Sequence, residues 1–306
     1  MELTDKAYDR DQAFWDTYIK GRPTAPASFF ERIYKYHEEH GGSFNIVHDA
    51  GAGVGPYSAE LRKKFSHVIV SDIVASSIKI AQSRLGTNGF TYRHAKIEDA
   101  DDIAAASVDM VFASNVMHFP DVELAQKAIA RQLRPGGTFV CGGFGIAQYR
   151  NLELQDLWTR MLQLGLRVQA RNTKERARRL LTYARIGTFY NHVPMDEEYF
   201  LPGAQRIQLS DSTGWGTLLP EDLMREVESP PPIRVGPNDE IITNHEPGWE
   251  FKTDIQGIRD QFNSMSFAAS EPEAYVGIWR EMEELIGDGR EVEGWWPARV
   301  FLATRK

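Results

Sequence analysis

Between residues 43 and 145, short apolar runs alternate with longer stretches that carry apolar residues every three or four positions. The runs at 44–48, 67–71, 90–93, 108–113 and 137–142 predict strands. The stretches at 56–65, 75–85 and 121–132 predict helices between them. Strand and helix in alternation, with short connections, imply a parallel sheet covered by helices on both faces.

The flanks read differently. Residues 7–19 predict a helix with Tyr8, Phe14, Trp15 and Tyr18; the run from Lys20 to Pro26, with two prolines and a glycine, breaks it. A second helix over 28–40 puts Phe29, Ile33 and Tyr36 on one face and a cap at Ser28. After Phe144 the alternation stops. Residues 148–190 read as helical, with Leu152, Leu157, Leu162 and Leu166 apolar. Residues 191–250 are rich in proline and glycine, hold Trp215 and Trp249, and predict irregular structure. Helices follow at 255–265 and 271–286, and the strand-like 296–304 returns to the sheet. The layout is an N-terminal helical lid (1–42), a core (43–145 with 286–306) and an inserted cap (146–285). Aromatic residues spread through such a cap suit an apolar substrate pocket, although any one tryptophan is more often core than contact.

Candidate chemistry gathers where the first strand ends. Asp49 is followed by glycines at 51, 53 and 55, then by Pro56 and a helix. Strand, glycine turn and helix form a nucleotide-type site at the first crossover of a parallel sheet. Glycines without a Cβ let a ligand approach the backbone closely. A dinucleotide fingerprint needs a third glycine where Pro56 stands, and a P-loop needs Gly-Lys-Ser/Thr, which does not occur. A carboxylate at Asp49 repels a pyrophosphate and suits an ammonium group. S-adenosylmethionine, with a cationic amino-acid end and no phosphate, fits better than NAD. The second strand ends at Asp72, about twenty residues beyond the glycines, where an acid takes ribose hydroxyls; the plain alternative is a turn residue.

With these features in order, the chain resembles class I S-adenosylmethionine-dependent methyltransferases, and within them the trans-aconitate methyltransferase-like group of small-molecule-modifying enzymes found in fungal pathways. The resemblance rests also on residues 92–99, on 107–119 as the fourth strand and its tip, and on the Pro135-Gly136-Gly137 turn into the fifth strand. It implies a doubly wound, mostly parallel seven-stranded Rossmann-like sheet with an inserted helical cap. It places the methionine end of the cofactor against Asp49, Ala50, Gly51 and Gly53, the ribose on Asp72 and the adenine between Ile73 and Ile97. The fourth-strand tip, with Ser114, Asn115, Met117 and His118, faces the transferring methyl. Tyr18 and Arg22 resemble the family's N-terminal lid, with Arg22 paired to the methionine carboxylate; core packing for Tyr18 and a solvated Arg22 are the alternatives. The chain departs from the family at Lys96, where an adenine acceptor is usual and a lysine can only donate; the backbone of Ile97 and the carboxylate of Glu98 remain for the base. His118 is the one titratable group at the fourth-strand tip, and two readings stay open: general base, or packing beside the cofactor.

Bulk properties narrow the partners. A net charge of −8 argues against nucleic acid, which wants a basic footprint. The basic stretch 167–179 is the local exception: a solvated helix face, a carboxylate-binding surface for an acidic substrate, or a partner site. One cysteine, Cys141 in an apolar run, excludes an intrachain disulfide. No Cys/His spacing suits zinc, no leader pattern opens the chain and no apolar run is long enough for a membrane span, so no metal is expected and a cytosolic location is. The expected activity is methylation of a small hydrophobic or carboxylated metabolite, favouring oxygen. A cyclase or isomerase that keeps the cofactor, and a non-catalytic cofactor-binding protein, are the competing readings.

Overall fold

The computed structural model describes residues 9–171, 174–212 and 219–306. Tyr8, Trp215 and part of the basic stretch fall outside them. The chain runs α1 (Gln12–Gly21), α2 (Ala27–Glu39), β1 (Ile46–Ala50), α3 (Ser58–Lys64), β2 (His67–Asp72), α4 (Ala75–Leu85), β3 (Phe90–His94), β4 (Val108–Ser114), α5 (Val122–Gln132) and β5 (Leu133–Phe144). It continues through β6 (Gln148–Tyr149), α6 (Leu152–Ala170), α7 (Arg176–Ile186), β7 (Gln205–Gln208), α8 (Glu221–Met224), β8 (Glu240–Thr243), β9 (Glu250–Thr253) and α9 (Ile255–Asn263). A 3₁₀ turn (Pro272–Tyr275), α10 (Val276–Ile286), β10 (Val292–Trp295) and β11 (Ala298–Thr304) complete it.

Helix starts follow their caps. Asp11 accepts from the Phe14 amide, Asp121 from those of Glu123 and Leu124, Asn151 from Leu154 and Asp254 from Gly257. α4 ends at Gly86, whose φ of 73° is left-handed.

The main sheet has the order β3-β2-β1-β4-β5-β11-β7-β8. β3, β2, β1, β4 and β5 are parallel neighbours, β11 runs antiparallel to β5 and β7, and β8 lies parallel to β7. Eight strands stand where the resemblance implies seven. β7 and β8 also come from the stretch 191–250, expected to be irregular and part of the cap. Within 146–285, β7 and β8 extend the core sheet, while the other described residues form α6 to α10, a 3₁₀ turn, long irregular connections, and β6 and β9. Those two strands flank β10 in a small second sheet.

Alternate residues of each central strand feed opposite faces. Met110 and Phe112 of β4, Val140 of β5 and Val300 and Leu302 of β11 join one core with α2 and α6. Val111 and Ala113, Phe139 and Cys141, and Phe301 and Ala303 join the other, with Ile129 of α5 and Phe200. Cys141 is buried there, as its surroundings in sequence predict.

The lid rests on the cap. Gly21 ends α1 so close to α9 that an added Cβ would stand 2.1 Å from the Asp260 carbonyl oxygen, and Lys20 pairs with the Asp260 carboxylate at 2.6 Å. We expect Gly21→Ala to push α1 off α9 at a cost of about 1–3 kcal/mol. Thermal unfolding of the variant checks this, and an unchanged midpoint would mean the two helices are not in register here.

Candidate active site

Sheet order reverses between β1 and β4, and ligands in such sheets sit at that point, beyond the carboxyl ends of the strands. There the structure opens a cavity of about 850 Å³. The lid contributes Tyr18 and Arg22; the first turn Asp49, Gly51 and Gly53; the β2 tip Asp72 and Ile73; the next loop Lys96, Ile97 and Glu98; the β4 tip Ser114 and Asn115. Sequence-distant residues thus converge on one wall set. Ala50, Met117 and His118 do not line the cavity. Ala50 and Met117 are fully buried in the core on the α5 side of the sheet.

The two acids differ in surroundings. Asp49 is 2% exposed, and its Oδ2 accepts from the Ser58 hydroxyl at 2.5 Å. Burial pushes its carboxyl up to about 7, with the Ser58 hydrogen bond opposing and the Asp72 charge adding to the rise. A carboxyl so placed becomes a stable anion when a cation arrives beside it. Asp72 accepts two backbone amides, Gly53 N–H on Oδ2 and Val74 N–H on Oδ1, both at 2.8 Å. Each oxygen is fixed by one amide, which orients the carboxylate as a vicinal diol would need.

The glycine turn supplies the cradle. Gly51, Gly53 and Gly55 all have left-handed φ values, 71°, 57° and 70°. A Cβ on Gly51 would lie 2.2 Å from Val116, whereas one on Gly53 would lie 3.6 Å from the Trp15 ring. Trp15, buried at 4% exposure, therefore covers the turn from the lid side.

Arg22 lies near two rings, its guanidinium carbon 5.1 Å from the Tyr18 centroid and 5.9 Å from that of Phe144. One Nη2 donates to the Ser264 carbonyl at 3.2 Å. Glu98, considered for the adenine, already accepts from the Asp121 amide at 3.0 Å, which ties its loop to the start of α5.

His118 is 8% exposed and stands outside the cavity, its ring 4.1 Å from that of Phe119, which does line it. Burial, helped by the nearby His192 and Arg185, drives its pKa down to about 3. The ring is thus neutral and shielded from the place where a ligand would lie. Asn115 accounts for the turn-away: its φ of 56° is left-handed, and the chain leaves β4 with Val116 and Phe119 inward and Met117 and His118 outward.

The basic stretch is largely neutralised within the fold. Arg167 grips Asp222 with two hydrogen bonds (2.6 and 2.9 Å), Arg176 grips Glu226 likewise (2.8 and 2.7 Å), Arg171 pairs with Glu271, and Arg179 with Glu175 at 3.0 Å. Glu175 and Arg178 of this stretch reach the cavity. Sequence reasoning missed that pair, together with Trp15, Phe30, Tyr57 and Phe144 as lining residues; helical spacing signals burial for such aromatics without saying against what. Among the described residues, no group of three His, Cys, Asp or Glu could hold a metal, and no helix is long and apolar enough to cross a membrane.

The buried carboxyl at Asp49, the glycine cradle and the diol-ready Asp72 fit S-adenosylmethionine. Known proteins agree. The methyltransferase domain family matches residues 48–141. Methyltransferase tpcM of Aspergillus fumigatus is 45% identical over 100% of this chain and 96% of its own length. Methyltransferase AacuQ of Aspergillus aculeatus is 47% identical over 100% and 97%. A putative type II methyltransferase from Anaeromyxobacter dehalogenans shares the fold, with a TM-score of 0.51 at 18% identity over 92% of this chain and 97% of that one. The chain belongs to the S-adenosylmethionine-dependent methyltransferases, alongside these full-length fungal relatives. It is an enzyme of that class, and S-adenosylmethionine is its cofactor.

Proposed function

We propose that the enzyme methylates an oxygen of a small secondary metabolite inside the lidded cavity. The observation that carries this reading is the pairing of Asp49 and Asp72 at adjacent strand tips, on either side of a glycine turn, within one 850 Å³ space. That volume is at the upper end for small-molecule sites and leaves room beyond a cofactor.

In this reading Asp49 holds the cofactor's ammonium end, with Ser58 steadying the carboxylate. Asp72 takes the ribose hydroxyls on the two oxygens that the Gly53 and Val74 amides orient. Ile73 and Ile97 flank the base, and Arg22, beside Tyr18 and Phe144, faces the carboxylate end. When bound, the cofactor supplies an electrophilic methyl on a sulfonium. The chain's own task is to exclude water and hold the acceptor in line, which can supply most of the rate. His118 serves as packing behind Phe119 rather than as a base. An acidic hydroxyl, such as a phenol or carboxylic acid, needs no strong base to present an oxygen nucleophile.

Calorimetry with S-adenosylmethionine and S-adenosylhomocysteine on the native protein and on Asp72→Asn tests the site. Native binding in the micromolar range and a loss of about 10- to 100-fold in the variant are expected, since a hydrogen bond to a charged group contributes about 1.5–3 kcal/mol. Equal affinity in the two proteins would remove Asp72 from the site. Methyl incorporation into candidate acceptors then tests the reaction, and His118→Gln should retain most of it.

A further inference from the structure

We propose that the connection between α7 and β7 is a latch that sets the shape of the cavity wall at the β4 tip, with Tyr190 as the residue that positions Asn115. The inference rests on the reading of the cavity as the cofactor site. Three side chains, one at the end of α7 and two from the connection that follows it, reach across to the tip. The Tyr190 hydroxyl donates to Asn115 Oδ1 at 3.2 Å. His192 Nε2 donates to the Met117 carbonyl at 3.1 Å, its Nδ1 meeting the Thr188 hydroxyl at 2.7 Å. Arg185 donates to the Pro120 carbonyl at 2.8 Å and more distantly to that of His118.

Both sides of the Tyr190–Asn115 hydrogen bond are backbone outliers. Asn115 has a φ of 56°, Phe189 of 58° and Tyr190 of 63°. Left-handed asparagine is not rare, but two successive aromatic residues in that region are, and such strain persists only where the surroundings enforce it. Here they do: the Arg299 guanidinium carbon stands 4.5 Å from the Phe189 ring centroid, and Tyr190 and His192 are buried. Asn115 is itself tightly held. Its amide donates to the Gly142 carbonyl at 2.8 Å, and a Cβ on Gly143 would fall 2.2 Å from its Oδ1.

The consequence is chemical. With Oδ1 taken by the tyrosine hydroxyl, the side-chain amide keeps its donor group for the cavity that Asn115 lines. Without Tyr190 the amide can turn over and present its oxygen instead. The segment also continues from α7, whose first turns bring Arg178 to the same cavity, so one element contacts the site at one end and braces its wall at the other.

Tyr190→Phe removes one hydroxyl and little else. Its amide exchange over residues 115–120 should quicken about tenfold, with exchange in β1 unchanged. Affinity for S-adenosylhomocysteine should fall about three- to tenfold while the unfolding midpoint moves by less than about 2 °C. In an Asn115→Gly background the same substitution should cost much less, because the hydrogen bond to Asn115 is already gone. Unchanged exchange at 115–120 overturns the latch. So does an affinity loss that persists undiminished in the Asn115→Gly background, since a general structural role would behave that way. If the native protein fails to bind S-adenosylhomocysteine, the cofactor reading falls, and the exchange experiment still decides the latch.

Discussion

Gly51→Ala should lose about a hundredfold in affinity for S-adenosylhomocysteine and several degrees of thermal stability. Two costs add. The residue has a φ of 71°, where an L side chain costs about 1–2 kcal/mol. Its Cβ would also stand 2.2 Å from Val116 Cγ2 and 2.8 Å from Val116 Cβ, an overlap that costs about 1–3 kcal/mol to relieve. Relief has a direction, because Val116 belongs to the β4 tip. Moving it shifts Ser114 and Asn115, which line the cavity, and alters the cradle from two sides. Gly53→Ala is the control: its φ is also positive, but its Cβ would meet only the Trp15 ring at 3.6 Å, so the strain stands without the clash. The order of effects should be Gly51 well above Gly53. Adding Val116→Ala to Gly51→Ala should restore part of the affinity, since the 2.2 Å overlap with Cγ2 goes while the 2.8 Å approach to Cβ and the backbone strain stay. Native-like binding by Gly51→Ala alone would show that the backbone does not approach the ligand closely here.

This loop was legible in the sequence because three independent signals agree in register. An apolar strand, an acid and spaced glycines, and a second acid at the next strand tip all point to one place. The strands β1 to β5 were legible for the same reason, since each lies in a long, strongly patterned stretch. β7 and β8 were not. Gln205-Arg206-Ile207-Gln208 and Glu240-Ile241-Ile242-Thr243 are four residues each, polar at their ends, and they become strands through pairing with β11 and with each other. Such pairing is tertiary and leaves little local trace. His118 poses a different limit. Position along the chain put it at a strand tip, but side-chain direction depends on the left-handed turn at Asn115, which spacing does not encode. The arginines of 167–179 illustrate the same limit, because their partners Asp222, Glu226 and Glu271 lie about 50 to 100 residues away.

This protein should lose stability steeply as pH falls below about 6, through histidines rather than through ordinary surface carboxylates. Besides His37, whose pKa burial also lowers, three buried histidines are held far enough below their usual pKa to set the slope. His48 is held between the Gln132 side chain (2.7 Å) and the Ser71 hydroxyl (2.6 Å), and burial lowers its pKa to about 4. Burial lowers His192 to about 4 and His118 to about 3. In the unfolded chain each takes a proton near pH 6.5. Between about pH 6.5 and 4 the unfolded state therefore binds three protons that the folded state refuses, so stability is present above 6.5 and lost as pH falls. Asp49 works the other way. Its folded pKa of about 7 exceeds the unfolded value, so between about 4 and 7 the folded state binds one proton that the unfolded state lacks. The net is about two protons, or about 3 kcal/mol lost for each pH unit below 6. A domain with about 5–15 kcal/mol in hand exhausts much of that by pH 4.5. Unfolding free energies from guanidinium titrations at pH 7.5, 6.0 and 5.0 measure the slope. Stability that stays flat from pH 7 to 5 would mean that these rings are open to protons. With the cofactor's cation on Asp49, as proposed above, saturating ligand should remove the opposing proton and make the acid dependence steeper, toward three protons, which the same titrations can read directly.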